Sequence, residues 1–284
     1  MKQCKALLTK EFRTHWTTLF MPLWFSGGVY VIAILGFLIA LLKGEDINFI
    51  ISVKNVPSTM ANLFLYSGVY AMNLMLGTVA IISSITLADN LINGGYKRKC
   101  EILHLSQPVS LIKILGIKYL LMVVGTLVVF AVTALFNSLV VSQVQAIWGR
   151  GSTYFGVVAW LQSTLEISLS LIFLSSLFWM FAGIYKRKSF FMGVLTLFAI
   201  QAAISILNWT AGLAIPSLLG YIANLASVRF ELNGNMASQT VDSVFNLINH
   251  KWALLFSWDS LLKLIYGAVF FVAGGYLYNK RDLS

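Results

Sequence analysis

The chain predicts an all-α integral membrane protein with six transmembrane helices, on three observations. Of its 284 residues, 58% are hydrophobic and only 11% charged, where an ordinary soluble domain carries about a quarter charged residues. Uncharged runs recur at 19–42, 56–88, 119–149 and 189–228, with a shorter one from Leu264, and the run 151–185 joins them but for Glu166. The long runs suffice to cross a hydrocarbon core of about 30 Å, for which a helix needs roughly 20 residues, and the last is of minimal length. The period-two alternation of outer-membrane strands is not apparent, so helices are expected rather than a barrel.

Residues 1–19 place Cys4, Leu8, Phe12, Trp16 and Leu19 on one side of a helix and Lys2, Lys10, Arg13, Thr14 and Thr17 on the other, the pattern of an interfacial helix lying at a membrane surface. Lys5 and Glu11 fall near the apolar edge, so the separation is imperfect. The first apolar run is too long for a signal-peptide core and lacks a small-residue cleavage site, so it reads as a retained span. The spans are expected at 20–42, 61–88, 117–142, 163–184, 189–209 and 261–279, in one transmembrane domain over 1–284. The segment 43–60 is short and polar, with Pro57 and Ser58 opening the second span. Residues 89–116 form the largest connection on the other side, and Tyr185 to Ser189 make a tight turn. The region 210–258 is too apolar for an ordinary loop and is interrupted at Pro216 and Gly220. It suits short helices that dip part way into the membrane. Asp259 and Lys263 are spaced to pair on one helical face.

Lys and Arg stay preferentially on the cytoplasmic side. With six spans and both termini inside, 14 of the 20 basic residues fall in the inner segments and the inner face carries the whole net charge of +10. A basic chain can bind nucleic acid, but topology and contact with anionic headgroups account for this balance, and no nucleic-acid partner is expected. Cys4 and Cys100 lie on the reducing side without metal-ligand spacing and are expected to be free thiols.

Catalytic constellations are missing. His15, His104 and His250 are isolated, and no H-E-x-x-H, C-x-x-C, G-x-S-x-G or G-x-x-x-x-G-K-[ST] pattern occurs. No catalytic or metal-binding residue is therefore expected, and energy from ATP must come from another polypeptide. Glu166 is the one carboxylate within a span. It lies in the outer turn if the span proper is 163–181, or else it lines a pathway.

The most distinctive stretch is GGYKRKCEILHLSQPVS, residues 94–110. Residues 95–105 can form a short helix that Pro108 ends, and Ser110 can cap the helix entering the third span. Polar Lys97, Arg98 and Glu101 beside Ile102 and Leu103 suit a groove on a soluble partner. The run CEILHLSQPVSLIKILGIKY, residues 100–119, resembles the segment after the second span in permease subunits of type-2 ATP-binding-cassette transporters. The matching positions are Glu101, Leu103, Leu105, Pro108, Val109, Ser110, Gly116 and Lys118. The N-terminal helix is similar to the family's elbow helix, six spans match its fold, and the broken region before the last span resembles its re-entrant hairpin. The chain departs from the family ahead of Glu101, where Gly94, Gly95 and Lys97-Arg98-Lys99 stand in place of acidic residues and a Gly-Thr.

The resemblance implies a permease subunit without catalysis or a cofactor of its own, acting in export, and an apolar chain with few charged lining candidates suits an amphiphilic substrate. It would sit in the inner (cytoplasmic) membrane of a cell, both termini cytoplasmic, in contact with membrane lipid. A second permease chain, identical or related, would pair with it, and two cassette ATPase subunits would bind ATP and Mg. Glu101, Ile102, Leu103, Leu105, Pro108 and Val109 would couple to the ATPase, and Leu8, Phe12, Arg13 and Trp16 would form the elbow. The family's path is lined by the second and fifth spans, which carry Asn73, Ser83, Ser84, Gln201 and Asn208, and Glu166 joins these as a further candidate. Each polar residue could equally satisfy a neighbouring helix. Two other readings stay open, an ion-driven secondary transporter using Glu166 and a non-transporting membrane anchor.

Overall fold

A computed structural model describes residues 2–43, 58–97, 110–147, 152–228 and 241–280. Among them the chain is helical without strands, and six helical stretches are long and apolar enough to cross a membrane. The helices are α1 (Lys2–Leu19), α2 (Met21–Leu42), α3 (Ser58–Lys97), α4 (Leu111–Leu120), α5 (Thr126–Ile147), α6 (Thr153–Ile184), α7 (Ser189–Ala211), α8 (Leu218–Ala226), α9 (Val241–Leu255) and α10 (Trp258–Lys280).

The bundle is built around α6, which packs chiefly against α3 and α10 and also against α5. In its most apolar window 67% of residues are buried, against 6% for the windows that include α2 and α7, which are peripheral. Small residues make the central position possible. Ser163, Ser170, Ser175 and Ser176 of α6 are buried, and Ser175 and Ser176 return their hydroxyls to the carbonyls of Leu171 and Ile172 at 2.5 and 2.7 Å. A helix surface of satisfied serines lets neighbouring backbones approach without leaving polar groups in an apolar medium. At Gly183 and Gly274 the approach is closest, since a Cβ on Gly183 would meet the Gly274 carbonyl oxygen at 2.6 Å.

Two apolar cores result. One, toward the end that carries Lys97, Lys113, Lys186 and Lys280 (the basic end), joins Leu87, Leu91, Met122, Phe130, Leu171 and Trp179. The other, toward the opposite end, joins Tyr66, Val69, Tyr70, Phe155, Val244 and Ile248.

Several helices run past the ends of the expected spans. The helix that holds the expected second span, 61–88, continues to Lys97: α3 is 40 residues and about 60 Å long and passes through Gly94 and Gly95. Its last turns remain helical because Leu91, Ile92 and Asn93 are buried against other elements, which offsets the roughly 1 kcal/mol a helical glycine costs. The helix that holds the expected fourth span, 163–184, starts at Thr153, where Ser152 caps α6 by accepting from the Tyr154 amide. The expected third span, 117–142, falls within α4 and α5, which are joined through a π-helical turn at Leu121–Gly125. That turn faces α1, and a Cβ on Gly125 would lie 3.0 Å from Leu19 Cδ1.

The chain reverses between α6 and α7 through Lys188, a non-glycine residue at φ 50°. The interruption expected at Pro216 is present: Gly212, at φ 62°, ends α7, and residues 212–217, Pro216 among them, are non-helical. Gly220 sits inside α8, donating its amide to the capping Ser217 hydroxyl at 3.1 Å. Two short helices, α8 and α9, thus precede the last span, which begins after a bend at Phe256–Ser257.

Candidate functional site

Glu101, Ile102, Leu103, Leu105, Pro108 and Val109 lie outside the described residues; their flanks do not. Upstream is the end of α3 and downstream is α4, and a side chain fastens each to the rest of the bundle. Lys118 of α4 is buried and donates from Nζ to the Leu91 carbonyl of α3 at 2.6 Å. The same ammonium is 3.9 Å from Glu11 of α1, a carboxylate 7% exposed, which in turn is 3.7 Å from His15. One lysine therefore ties α1, α3 and α4 together. Nearby, Asn93 donates to Asp89 at 2.8 Å and to the Tyr185 carbonyl at 3.1 Å, and Ser189 donates to Asp89 at 2.5 Å. This second clasp joins the end of α3 to the turn between α6 and α7.

The clasp explains the imperfect amphipathicity of α1. Glu11 and Leu19 are buried, with Leu7, His15 and Thr18 beside them, so the narrow face containing Glu11 meets the bundle. Leu8, Phe12 and Trp16 are 40–46% exposed. Trp16 makes edge-on contacts with Phe20 and Trp24, and Arg13 is exposed with Lys5 and Lys10. The apolar stripe is free to face lipid while a charged residue holds the helix in place. Sequence reasoning missed Glu11, His15 and Lys118 as a unit. Spacing of i, i+4 for Glu11 and His15 was the available signal, but nothing in the sequence brings Lys118 to them.

A second polar cluster occupies the opposite half. Glu166 accepts a hydrogen bond from the Tyr70 hydroxyl, and Lys251 of α9, 3% exposed, stands 5.3 Å over the Tyr70 ring. Lys263 of α10, 6% exposed, donates to Ser170 at 3.0 Å. The neighbouring Tyr66 hydroxyl donates to Gln162 Oε1 at 2.6 Å, and Gln162 donates to the Ile248 carbonyl at 3.0 Å. These bonds pin α9 to α3 and α6. Glu166, Asp259 and Lys263 together line a cavity of about 30 Å³ with Asn224, Ser227, Ser257 and Ser260, room for about one water molecule. Glu166 stands 18 residues, about 27 Å, along α6 from Ile184.

Of the remaining polar residues named from the sequence, Ser84 is buried with no hydrogen-bond partner for its hydroxyl among the described residues, and the others each contact a neighbouring group within the chain. Asn73 is buried and donates to Ser163 at 3.0 Å and to Ser138 at 3.4 Å. Ser83 is buried and donates to the Thr18 carbonyl. Gln201 accepts from the Ser217 hydroxyl and the Leu219 amide at 3.1 and 3.2 Å, and Asn208 brackets the Ile215 backbone with bonds of 2.9 and 3.0 Å. The last two hold the non-helical segment between α7 and α8.

Comparison with protein-family models, with curated proteins and with solved structures returns no match for this chain. What it can do must be argued from its own residues. Two clusters stand out: a clasp at the basic end that flanks residues 98–109, and a partly buried charged group at the opposite end beside the bonds that fasten α9.

Proposed function

We propose that this chain is the membrane subunit of an ATP-binding-cassette transporter, forming the path for an amphiphilic substrate and drawing energy from separate ATPase subunits at its basic, cytoplasmic end. The observation that carries the reading is the Lys118 clasp. The segment whose order of Glu101, Leu103, Leu105, Pro108 and Val109 resembles the coupling element of type-2 permeases emerges from α3 and returns into α4. Lys118, the last residue of that resemblance, binds both α3 and the interfacial helix α1. A push on the segment would therefore reach α1, α3 and α4 together, as coupling requires: a docked partner must favour one arrangement of the helices over another. In this reading the protein lies in the inner membrane of a cell with both termini cytoplasmic, pairs with a second permease chain and binds no nucleotide itself.

The test is affinity purification of the chain from its native membranes. A cassette ATPase is expected to co-purify, and Leu103→Asp is expected to leave basal ATP hydrolysis intact while abolishing transport. Recovery of no ATPase refutes the reading. The charged cluster, in which Glu166 is half-buried beside the buried Lys263, favours a second reading, an ion-driven carrier using Glu166. It predicts transport by the purified chain under a pH gradient alone, lost in Glu166→Gln.

A further inference from the structure

We propose that the groove between α4 and α10 at the basic end is a selective site for one anionic phospholipid. The groove has a volume of about 540 Å³, with Ile112 and Leu115 on one wall and Phe271, Val272, Gly275 and Tyr276 on the other. Ile112 is 83% and Val272 66% exposed, so the groove opens sideways, onto lipid in a membrane. The residues lining it include no acidic side chain, and its polar members, Ser110 and Asn279, stand at the ends of α4 and α10 that face the basic end.

One cation marks that mouth. Lys280 follows Asn279 and holds its Nζ 4.7 Å over the Tyr276 ring that forms part of the wall. An acyl chain fits the apolar walls and a phosphate fits beside the Lys280 ammonium. A choline headgroup would bring a second positive charge to the same mouth, so a net-anionic lipid is favoured over a zwitterionic one. A lysine near an anionic headgroup strengthens binding by roughly fivefold, which sets the expected preference.

The proposal does not depend on the transport reading. Its consequence is mechanical: α4 leads directly out of residues 98–109, and a lipid seated between α4 and α10 would brace α4 against the last span.

The test uses the full chain purified in detergent and native mass spectrometry, with phosphatidylglycerol and phosphatidylcholine of identical acyl chains. One phosphatidylglycerol is expected to be retained at a concentration about fivefold lower than phosphatidylcholine. The substitution Lys280→Ala should reduce phosphatidylglycerol to the phosphatidylcholine level. Gly275→Leu should abolish retention of both lipids, because a Cβ at Gly275 meets only Leu115 Cδ1, at 3.8 Å, so the side chain fills the groove without striking a backbone. Soluble glycerol phosphate should not compete, which separates a lipid site from a phosphate site. Equal retention of the two lipids by the unmodified chain overturns the proposal. So does phosphatidylglycerol binding that survives both variants, or a Gly275→Leu chain that changes oligomeric state with its lipid retention unchanged.

Discussion

Lys118→Met tests the clasp most directly, because methionine keeps the unbranched stem and removes only the ammonium. Two terms are lost. The bond to the Leu91 carbonyl, 2.6 Å with a charged donor, is of a kind that contributes roughly 1.5–3 kcal/mol. The attraction to Glu11 across 3.9 Å amounts to about 4 kcal/mol at an effective dielectric of 20, most of it offset in the native protein by desolvation of both groups. Removing the lysine leaves the Glu11 desolvation in place, although His15 at 3.7 Å keeps a donor beside the carboxylate. The net cost is expected at about 2–4 kcal/mol, a fall in Tm of roughly 5–15 °C for a domain of this size. The assay is thermal unfolding in detergent, read by the fraction of chain that stays monodisperse, on Lys118→Met, Glu11→Gln and the double variant. Because the two residues share one contact, the double variant should be less damaged than the sum of the singles by about 1–3 kcal/mol. A Lys118→Met chain that melts with the unmodified protein, or strictly additive losses, would refute the clasp.

Two further substitutions probe the rest of the framework. Ser26 and Tyr30 of α2 both donate to Asn137 Oδ1, at 2.9 and 3.0 Å, and interhelical bonds in membranes contribute about 0.6–1.7 kcal/mol each. Asn137→Leu should therefore cost about 1–3 kcal/mol and broaden spin-label distances between α2 and α5; unchanged distances would contradict this anchoring. Gly183→Ala should cost about 1–3 kcal/mol through its clash with the Gly274 carbonyl. The control Gly68→Ala, with nothing within 4 Å of its added Cβ, should melt at or above the unmodified protein, and equal losses at the two sites would deny the close approach.

The elements were legible in the sequence and their partners were not. Apolar length alone identifies six spans, because lipid excludes charge over about 30 Å and leaves a run of uncharged residues as its trace. Amphipathicity identifies α1 for a related reason, since water and lipid meet along its length. Limits of helices were less legible. α3 passes through Gly94 and Gly95 and α6 begins ten residues ahead of the span expected within it, because buried neighbours and a serine cap outweigh local propensity.

Which face of each helix packs could not be read, for a physical reason. In lipid there is no hydrophobic penalty to mark the outward side, so a span such as α6 is apolar all round and its sequence carries almost no direction. Packing is decided instead by small residues and by single polar bonds between residues far apart in the chain: Gly183 on Gly274, Asn73 on Ser163, Ser26 on Asn137. Glu166 was visible as an isolated carboxylate, whereas Tyr70 and Lys263 became its neighbours only on folding, with Lys251 over the Tyr70 ring. Glu11 looked like a blemish in an amphipathic helix and became its anchor when tertiary structure brought Lys118, 107 positions away, to within 3.9 Å. By itself the sequence determined a six-span helical membrane protein with a basic end. Only the tertiary structure decided how its few polar side chains fasten one helix to another, because in a bilayer those contacts, rather than apolar burial, choose among otherwise equivalent packings.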